Sequence, residues 1–420
     1  MGEGETTPEI GLEEIRTARV AVRRIAIETP IFKSRVLSEL TGANVVLKAE
    51  NLQPTGSFKI RGASAKLAAL GEGAQPGIVV ASAGNHAQAA ALAARSAGVS
   101  CEVYMPAEAS ISKAEATIGY AASVHLEGDS LDDCVVLAEA RGREAGLHFV
   151  HPFNDPAIVA GQGTLGLELV EEVDDLAMVI VPLGGGGLVS GVACAIDALA
   201  PDVRVVAVQA AVCAPFLSDY ESYRTAGLTG GATLADGIAV KRPGGITIEL
   251  IRRHVDEIVA VKENEIADAM VSLMMRSKLV VEGAGAVGAA ALMTGRIKPP
   301  ASGTTVVILS GGNVDTGLLA PVIRRQETNA GRRVVIFARI PDRPGSLARL
   351  LTCIGQSGAN LVTVAHLREG YDLSVRETAV HIVLETRNRE HAKEVLEAAH
   401  DAGFDVRFAG ESSQGAIEID

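Results

Sequence analysis

The first residue along the chain whose sequence context suggests covalent chemistry is a lysine flanked by small residues and an aromatic residue. Residues 54–62 read PTGSFKIRG, with Lys59 directly after Phe58. A lysine kept partly away from water loses its proton more easily, and its neutral amine attacks carbonyl groups to form a Schiff base. Alone, the pattern is more typical of an exposed lysine at the start of a helix. Arg61 has two interpretations, a residue in contact with a carboxylate or a solvated helix residue with no special role. Schiff-base chemistry at Lys59 is therefore a hypothesis that other segments must support.

Three glycine-rich turns have the composition of anion-binding sites. Each follows a short apolar run: ASAGNHAQ at 81–88, PLGGGGL at 182–188 and LSGGN at 309–313. Turns of small residues before a helix expose backbone N–H groups, which favour a carboxylate or a phosphate. Ligands of open parallel sheets collect at the carboxyl ends of the strands. We therefore expect the three turns to meet at one site.

The four glycines at 184–187 predict a phosphate site. No Gly-Lys-Ser/Thr follows them, which excludes a nucleoside-triphosphate loop, and Val189 stands where a dinucleotide fingerprint has its third glycine. Taken singly, the residues have simpler interpretations. The glycines are then a flexible loop, Asn85 a turn residue, His86 a buried structural histidine and Ser310 a helix cap.

The segments between these turns predict an α/β fold. Short β-branched runs, such as 78–81 and 304–309, alternate with Ala-rich stretches of helical length. Runs that are apolar on both faces are typical of a parallel sheet covered by helices on both sides. The pattern changes around 328–333, and beyond it we predict strand 334–340, helix 346–357, strands 360–367 and 378–385, helix 389–402 and strand 404–408. This βαββαβ order is that of a ferredoxin-like module.

Composition limits the class of function. The chain has 420 residues, 48% of them hydrophobic and 21% charged, which is typical of a soluble protein of two or three domains. A net charge of −13 repels nucleic acids and anionic membranes, and aromatic residues are only 3%. The five cysteines form no CxxC pair, so neither a disulfide framework nor a metal site is predicted. An acidic, polar N-terminus and the lack of long apolar runs predict a cytoplasmic protein without membrane segments.

In this order, the segments resemble the threonine dehydratases among the fold-type II pyridoxal-phosphate enzymes. The matching stretches are PTGSFKIRGA at 54–63, SAGNHAQ at 82–88, GQGT at 161–164, GGGGL at 184–188, ADGIAV at 235–240 and LSGGN at 309–313. The tail, with RIPDRPGSL at 339–347, resembles an ACT domain. The resemblance implies two open twisted sheets with helices in three layers, in a catalytic domain 1–327 that contains a smaller subdomain at about 50–155. A ferredoxin-like ACT domain would follow at 331–410.

The resemblance also implies a role for each site residue. Lys59 matches the lysine that holds pyridoxal 5'-phosphate covalently and then acts as the base at the substrate's Cα. Phe58 would pack near the cofactor ring, Asn85 would bond its 3-oxygen and Ser310 would face its pyridine nitrogen. The phosphate would lie on Gly184, Gly185, Gly186, Gly187 and Leu188. The substrate carboxylate would be bounded by Ser82, Ala83, Gly84, Asn85 and His86.

The implied reaction is the dehydration and deamination of L-threonine to 2-oxobutanoate and ammonia, with L-serine giving pyruvate as a secondary activity. A serine rather than a carboxylate at the pyridine nitrogen makes the ring a weaker electron sink, which favours prompt loss of a β-substituent over transamination. By the same resemblance, isoleucine or valine would bind the ACT domain as effector. The chain would form a homodimer or homotetramer and serve isoleucine biosynthesis or threonine breakdown.

Three alternatives remain at this stage. One is another enzyme of this fold that eliminates or replaces a β-substituent, such as a cysteine synthase. Another is a serine racemase, which Ala83 disfavours because that family has a proton-exchanging serine there. The third is a non-catalytic amino-acid sensor, which the joint presence of Lys59, Asn85, the glycines and Ser310 disfavours. Glu282 lies in a segment close to the cofactor in relatives, but no function is assigned to it. Asp236 lies in the ADGIAV stretch, near which some relatives bind a metal ion, but no metal is expected here because no dense carboxylate cluster surrounds it.

Overall fold

The computed structural model describes residues 10–217, 233–368 and 373–409. Contacts along the chain divide it into two units, Met1–Asp315 and Thr316–Asp420. Residues 316–327, expected in the first domain, belong instead to the second unit, because the helix Thr316–Asn329 packs on the strand Arg333–Pro341. The boundary therefore precedes this helix and does not follow it.

The first unit alternates strands and helices along most of its length. Its strands are β1 Ile31–Lys33, β2 Asn44–Lys48, β3 Ile78–Ala81, β4 Cys101–Met105, β5 Ser123–Leu126, β6 His148–Phe149, β7 Leu176–Pro182, β8 Arg204–Ala210, β9 Glu257–Val261 and β10 Thr304–Ile308. Its α-helices are α1 Leu12–Val22, α2 Arg35–Thr41, α3 Lys59–Leu70, α4 Asn85–Ala97, α5 Ile111–Ile118, α6 Leu131–Ala145, α7 Pro156–Glu172, α8 Gly187–Leu199, α9 Gly245–His254, α10 Glu263–Ser272 and α11 Gly283–Met293. Short 3₁₀ helices lie at Glu50–Leu52, Gly71–Ala74 and Asp236–Ile238, and a π-helical turn at Leu273–Ser277 extends α10.

Two open sheets confirm the predicted α/β fold. The larger has the order β1-β2-β10-β7-β8-β9 and is parallel except at β1, and the smaller has the parallel order β5-β4-β3-β6. Val179 and Val306 pack with α7 and α8 on one face of the larger sheet. On the other face α11 packs closely, since a Cβ on Gly288 would lie 2.9 Å from Val307 and 3.1 Å from Ile180. Helices therefore cover both faces, which gives the predicted three layers.

The second unit carries the predicted βαββαβ order. After α12 Thr316–Asn329 come β11 Arg333–Pro341, α13 Ser346–Gln356, β12 Asn360–Leu367, β13 Glu377–Glu385, α14 Arg389–Asp401 and β14 Asp405–Phe408. The sheet is antiparallel with the order β12-β13-β11-β14. Helix α13 buries Leu350 and Ile354, one turn apart, and α14 buries Val395 and Ala399 in the same core. The ferredoxin-like prediction is confirmed.

Two further findings concern only the ranges 10–217, 233–368 and 373–409. No helix there is both long and apolar enough to cross a membrane. No group of three or more His, Cys, Asp or Glu side chains there is arranged to hold a metal ion.

Candidate active site

Backbone hydrogen bonds join the Lys59 segment to the turn after β10. Ser57 pairs with Gly311 in an antiparallel bridge, the N–H of Phe58 donates to the carbonyl oxygen of Ser310 at 3.0 Å, and the N–H of Gly312 donates to Gly56 at 2.9 Å. These contacts span about 250 residues of sequence and bring the start of α3 to the carboxyl end of β10. Backbone hydrogen bonds therefore hold the Lys59 segment next to the Ser310 turn, as expected.

The Lys59 amine is held among protein atoms and not in open solvent. It donates to the carbonyl oxygen of Pro152 at 2.9 Å and lies 5.2 Å from the centre of the Phe58 ring. Burial lowers the pKa of Lys59 to about 8, although the carboxyl of Glu282 acts in the opposite direction. Residue 59 as a whole remains partly exposed. A substantial fraction of neutral amine at neutral to mildly basic pH is the property that Schiff-base chemistry needs.

Asn85, the first residue of α4, lies in a chain of polar side chains. Its Nδ2 donates to Oε1 of Glu282 at 2.8 Å, and its Oδ1 accepts from Nδ2 of Asn313 at 2.7 Å. Nδ2 of Asn313 also donates to the carbonyl oxygen of Thr55 at 2.8 Å. Asn313 was not singled out from the sequence, although it ends the LSGGN segment at the carboxyl end of a strand. This position at the end of a strand was the sequence feature that could have indicated a role at the site.

Glu282, to which the sequence assigned no function, is a buried carboxyl beside this chain. Burial and the nearby Asp236 carboxylate raise its pKa to about 8, against the opposing effects of Asn85, Lys113 and Lys59. Its backbone N–H donates to Gly311 at 3.0 Å, which ties the start of α11 to the turn after β10. Asp236 forms an ion pair with Lys113 at 2.8 Å.

The raised pKa of Glu282 predicts a pH-dependent effect of Glu282→Gln on stability. Below pH 4.5 the carboxyl is protonated in both the folded and the unfolded chain, whereas between 4.5 and about 8 only the folded chain keeps the proton. The folded protein with Glu282 therefore loses stability as pH rises through this window, and the amide variant does not. We expect the variant's advantage in unfolding free energy to grow with a slope of up to about 1.4 kcal/mol per pH unit.

Urea unfolding of both proteins at several pH values between 4.5 and 8 measures this difference. Glu39→Gln, which removes an exposed carboxylate from an ion pair with Arg35, controls for the loss of a charge by itself. If the difference in unfolding free energy between Glu282→Gln and the wild type stayed constant or shrank as pH rose through this range, the predicted titration of Glu282 would be contradicted.

The glycine turn after β7 has no room for side chains. A Cβ on Gly184 would lie 2.8 Å from Cα of Ile238, and one on Gly185 would lie 2.3 Å from the Phe153 ring. Gly186 has φ +94°, which a side chain would strain. The hydroxyl of Thr247 donates to the carbonyl oxygen of Gly185 at 2.7 Å and holds the turn.

Helix α8 begins at Gly187, directly after this turn. The first N–H groups of a helix have no acceptor within it, so the start of α8 offers the kind of backbone donors that an anion site needs. The side chain of Leu188 packs in the core of the larger sheet.

The loop between β3 and α4 holds the residues expected around a substrate carboxylate. Ser82, Ala83, Gly84 and Asn85 are partly exposed, and Oγ of Ser82 accepts from the N–H of Gly84 at 3.2 Å. The imidazole of His86 is buried, and its Nε2 bonds the carbonyl oxygen of Val150 at 2.9 Å. Because a carbonyl only accepts, Nε2 carries the proton. Burial and the nearby Lys59 lower the pKa of His86 to about 3, so the ring is neutral. Only the backbone N–H of His86 is left to meet a carboxylate.

Of the two interpretations of Arg61, the solvated helix residue is wrong, and contact with carboxylates is what the structure shows. Its side chain is fully buried, and its guanidinium donates to both oxygens of Glu50, at 2.7 and 2.8 Å, and to both of Glu168, at 2.6 and 2.9 Å. Lys48, also fully buried, pairs with Glu168 at 3.1 Å. Burial alone would raise the pKa of Glu50, but Arg61 outweighs it and holds that pKa below the ordinary value. This cluster fixes α3 against α7 two residues beyond Lys59.

Comparison with known proteins agrees with this geometry. Residues 22–311 match the family model described as pyridoxal-phosphate dependent enzyme. The L-threonine ammonia-lyase of Thermotoga maritima is 43% identical over 403 residues, which are 96% of this chain and the full length of that protein.

Two solved structures share the fold of most of the chain. The processed form of threonine deaminase isoform 2 from Solanum lycopersicum is 31% identical, with a TM-score of 0.67, over 77% of this chain and 91% of its own. The serine racemase of maize is 32% identical, with a TM-score of 0.69, over 77% of this chain and 99% of its own. The matched family model spans both sheets, the first two glycine-rich turns and the third as far as Gly311. The chain therefore belongs to the family of pyridoxal-phosphate-dependent enzymes.

Proposed function

We propose that this enzyme deaminates L-threonine to 2-oxobutanoate and ammonia, and L-serine to pyruvate as a secondary activity. One observation carries the proposal: the Lys59 amine is held away from bulk water at the start of α3, whose preceding loop is bonded to the Ser310 turn. The full-length similarity to an L-threonine ammonia-lyase supports the choice of substrate. A non-catalytic sensor has no need of such an amine.

The site fits pyridoxal 5'-phosphate. The turn at 184–187 has no space for side chains and leads into the N-terminus of α8, whose first backbone N–H groups would suit the phosphate. Lys59 would attach the cofactor covalently, with Phe58 beside the ring. Asn85 would face the 3-oxygen and the buried Ser310 the pyridine nitrogen. When bound, the cofactor supplies an electron sink for negative charge at the substrate's Cα.

The chain's own residues would then bind the substrate and move its protons. The backbone N–H groups at the start of α4, beside Ser82 and Ala83, would bind the substrate carboxylate. The Lys59 amine would take the proton from the substrate's Cα at Nζ, with the Pro152 carbonyl as acceptor for the resulting ammonium. Ser310 would not pair with a protonated ring nitrogen as a carboxylate would, and the weaker electron sink would favour prompt loss of the β-hydroxyl, which takes up a proton and leaves as water.

An assay of 2-oxobutanoate formation from L-threonine tests the function. The purified full chain, saturated with pyridoxal phosphate, is expected to form 2-oxobutanoate at a rate well above that from L-serine to pyruvate. O-acetylserine with sulfide, which a cysteine synthase would convert to cysteine, is the contrasting substrate pair. A protein that binds the cofactor but converts only O-acetylserine would overturn the proposal.

The glycine cradle gives a prediction for cofactor affinity. Gly185→Ala places a methyl group 2.3 Å from the Phe153 ring and must displace either the ring or the turn. We expect the dissociation constant of pyridoxal phosphate to rise by about tenfold or more, which is the loss of roughly one hydrogen bond to a charged group. Equilibrium dialysis with absorbance detection measures it. Gly73→Ala, where an added Cβ meets nothing within 4 Å, is the matched control. Equal affinities of the two variants would contradict the phosphate assignment.

Serine racemisation is the second candidate activity, because a racemase of maize has the same fold. Inversion at Cα needs an acid/base on the face opposite Lys59, and Ala83 has no proton to exchange. We expect the wild type to racemise L-serine about a hundredfold more slowly than it deaminates it, the size of one acid/base contribution. Ala83→Ser is expected to raise the rate of racemisation relative to the rate of deamination. Chiral chromatography of the remaining serine measures both, and rapid D-serine formation by the wild type would contradict the prediction.

The second unit is proposed to regulate this activity. Its ferredoxin-like βαββαβ fold supports its assignment as an ACT domain over 331–410, with isoleucine or valine as effector. We also propose that the enzyme is a cytoplasmic homodimer or homotetramer, which analytical ultracentrifugation would distinguish. Adding each amino acid to the 2-oxobutanoate assay tests the regulation. If neither isoleucine nor valine changed the rate of 2-oxobutanoate formation, these two would be overturned as effectors.

A further inference from the structure

The polar chain through Asn85 has a feature that its proposed contact with the cofactor does not explain. A side-chain amide can be turned by 180° so that its N–H groups and its oxygen exchange places, and its neighbours decide which orientation holds. Asn85 has Glu282 on one side and Asn313 on the other. What Asn85 offers to a ligand therefore depends on which neighbour fixes its orientation.

Asn313 has only one orientation that satisfies its contacts. Its Nδ2 faces the carbonyl oxygen of Thr55 at 2.8 Å, and a backbone carbonyl can only accept. The same Nδ2 faces Oδ1 of Asn85 at 2.7 Å. If the Asn313 amide were turned, its oxygen would face two acceptors. The backbone also restrains its position, since Gly56 has no side chain and a Cβ there would lie 2.3 Å from Oδ1 of Asn313.

Glu282 does not impose an orientation in the same way. An ionised carboxyl accepts a hydrogen bond from the N–H of the Asn85 amide, and a protonated carboxyl can donate one to its oxygen. Glu282 can therefore bond Asn85 in either orientation of that amide. The charged groups that act on it are Lys59, Lys113 and Asp236. Because burial raises its pKa to about 8, both states are populated near neutral pH. The fixed member of the chain is therefore Asn313.

We propose that Asn313 is a positioning residue that orients the Asn85 amide through its two hydrogen bonds, so that Asn85 presents an N–H donor, and not its oxygen, to the ligand of this site. One of the two N–H groups on Nδ2 of Asn85 donates to Glu282. The other is the donor that the ligand meets. This inference rests on the proposed function, in which that ligand atom is the cofactor's 3-oxygen.

The inference predicts a change in the absorbance spectrum of the bound cofactor. A donor to the ring oxygen stabilises negative charge there and favours loss of the proton that this oxygen shares with the lysine nitrogen. Asn313→Asp keeps the size of the side chain but removes its donors, which frees Asn85 to turn. We expect the pH midpoint of the visible spectrum of the full-length holoenzyme to move up by about one pH unit, the tenfold effect of one hydrogen bond to a charged group.

Two controls separate positioning from general loosening. Asn51→Ala removes a hydrogen bond from Nδ2 of Asn51 to the carbonyl of Val280 at 3.0 Å, next to the same turn but outside the Asn85 chain. It should leave the midpoint unchanged. In an Asn85→Ala background, Asn313→Asp should add no further shift, because the group it orients is gone.

Each outcome is decisive. An unchanged midpoint in Asn313→Asp, an equal shift in Asn51→Ala, or a full shift that persists without Asn85 would overturn the role of Asn313. Wild-type protein that gains no visible absorbance from pyridoxal phosphate would instead show that the proposed function is wrong.

Discussion

Lys59→Ala is expected to abolish the visible absorbance that pyridoxal phosphate gives the protein and to lower 2-oxobutanoate formation by about a thousandfold or more. The amine is both the point of covalent attachment and the base at Cα in the proposed mechanism, so one substitution removes two contributions. Alanine leaves the start of α3 helical, since it has the highest helix propensity. The phosphate cradle after β7 is untouched, so the variant should still bind the cofactor non-covalently.

The measurement is an absorbance spectrum of the dialysed protein together with the 2-oxobutanoate assay. Lys298→Ala, which changes an exposed lysine of the same unit, is the matched control and should keep both properties. If Lys59→Ala retained the visible absorbance after dialysis, another amine would hold the cofactor and the assignment of Lys59 would be wrong.

Features that a local segment determines could be predicted from the sequence. The four glycines of 184–187 predict a turn without side chains, and the structure shows neighbours where each Cβ would lie. The runs at 78–81 and 304–309 predict strands buried on both faces, and β3 and β10 are fully buried. In the second unit, apolar spacing predicted the helices and strands from β11 onward to within about two residues, an ordinary margin for element ends, but it did not predict the preceding helix α12. In each case the signal and the structure lie in the same short stretch of chain.

Features that depend on distant segments could not be predicted. Arg61 has the sequence context of a surface helix residue, and its burial depends on Glu168, 107 residues away. Asn313 gains its role from Thr55, 258 residues away, and from Asn85, 228 residues away. The imidazole of His86 is directed to Val150 because of how α4 packs, which no spacing in the sequence shows. Such contacts arise only when segments far apart in the sequence come together in the fold.

The buried ion cluster around Arg61 gives the largest predicted effect on stability. Arg61→Met fills a similar volume but leaves the carboxyl of Glu50, which is 0% exposed, without its ion-pair partner, while Glu168, 4% exposed, keeps only Lys48 at 3.1 Å. Removing one partner of a buried ion pair costs about 3–5 kcal/mol, because the remaining charge is buried and uncompensated. Denaturant unfolding of the full chain measures the loss. Arg35→Met, in an exposed pair with Glu39, is the control and should cost about 0–1 kcal/mol.

The pH dependence of this loss identifies its cause. With Arg61 present, the pKa of Glu50 lies below its ordinary value of 4.5, so its ionised form stabilises the fold above that pH and this stability falls as the carboxyl is protonated. Without Arg61, the Thr29 hydroxyl and Lys48 are left to oppose the effect of burial on Glu50, and the balance moves toward the protonated acid. The difference between the two proteins should therefore be largest at neutral pH and shrink below about pH 4.5. A loss that does not change with pH would indicate a packing defect. In that case the buried charges of Glu50 and Glu168 would not be what Arg61 stabilises.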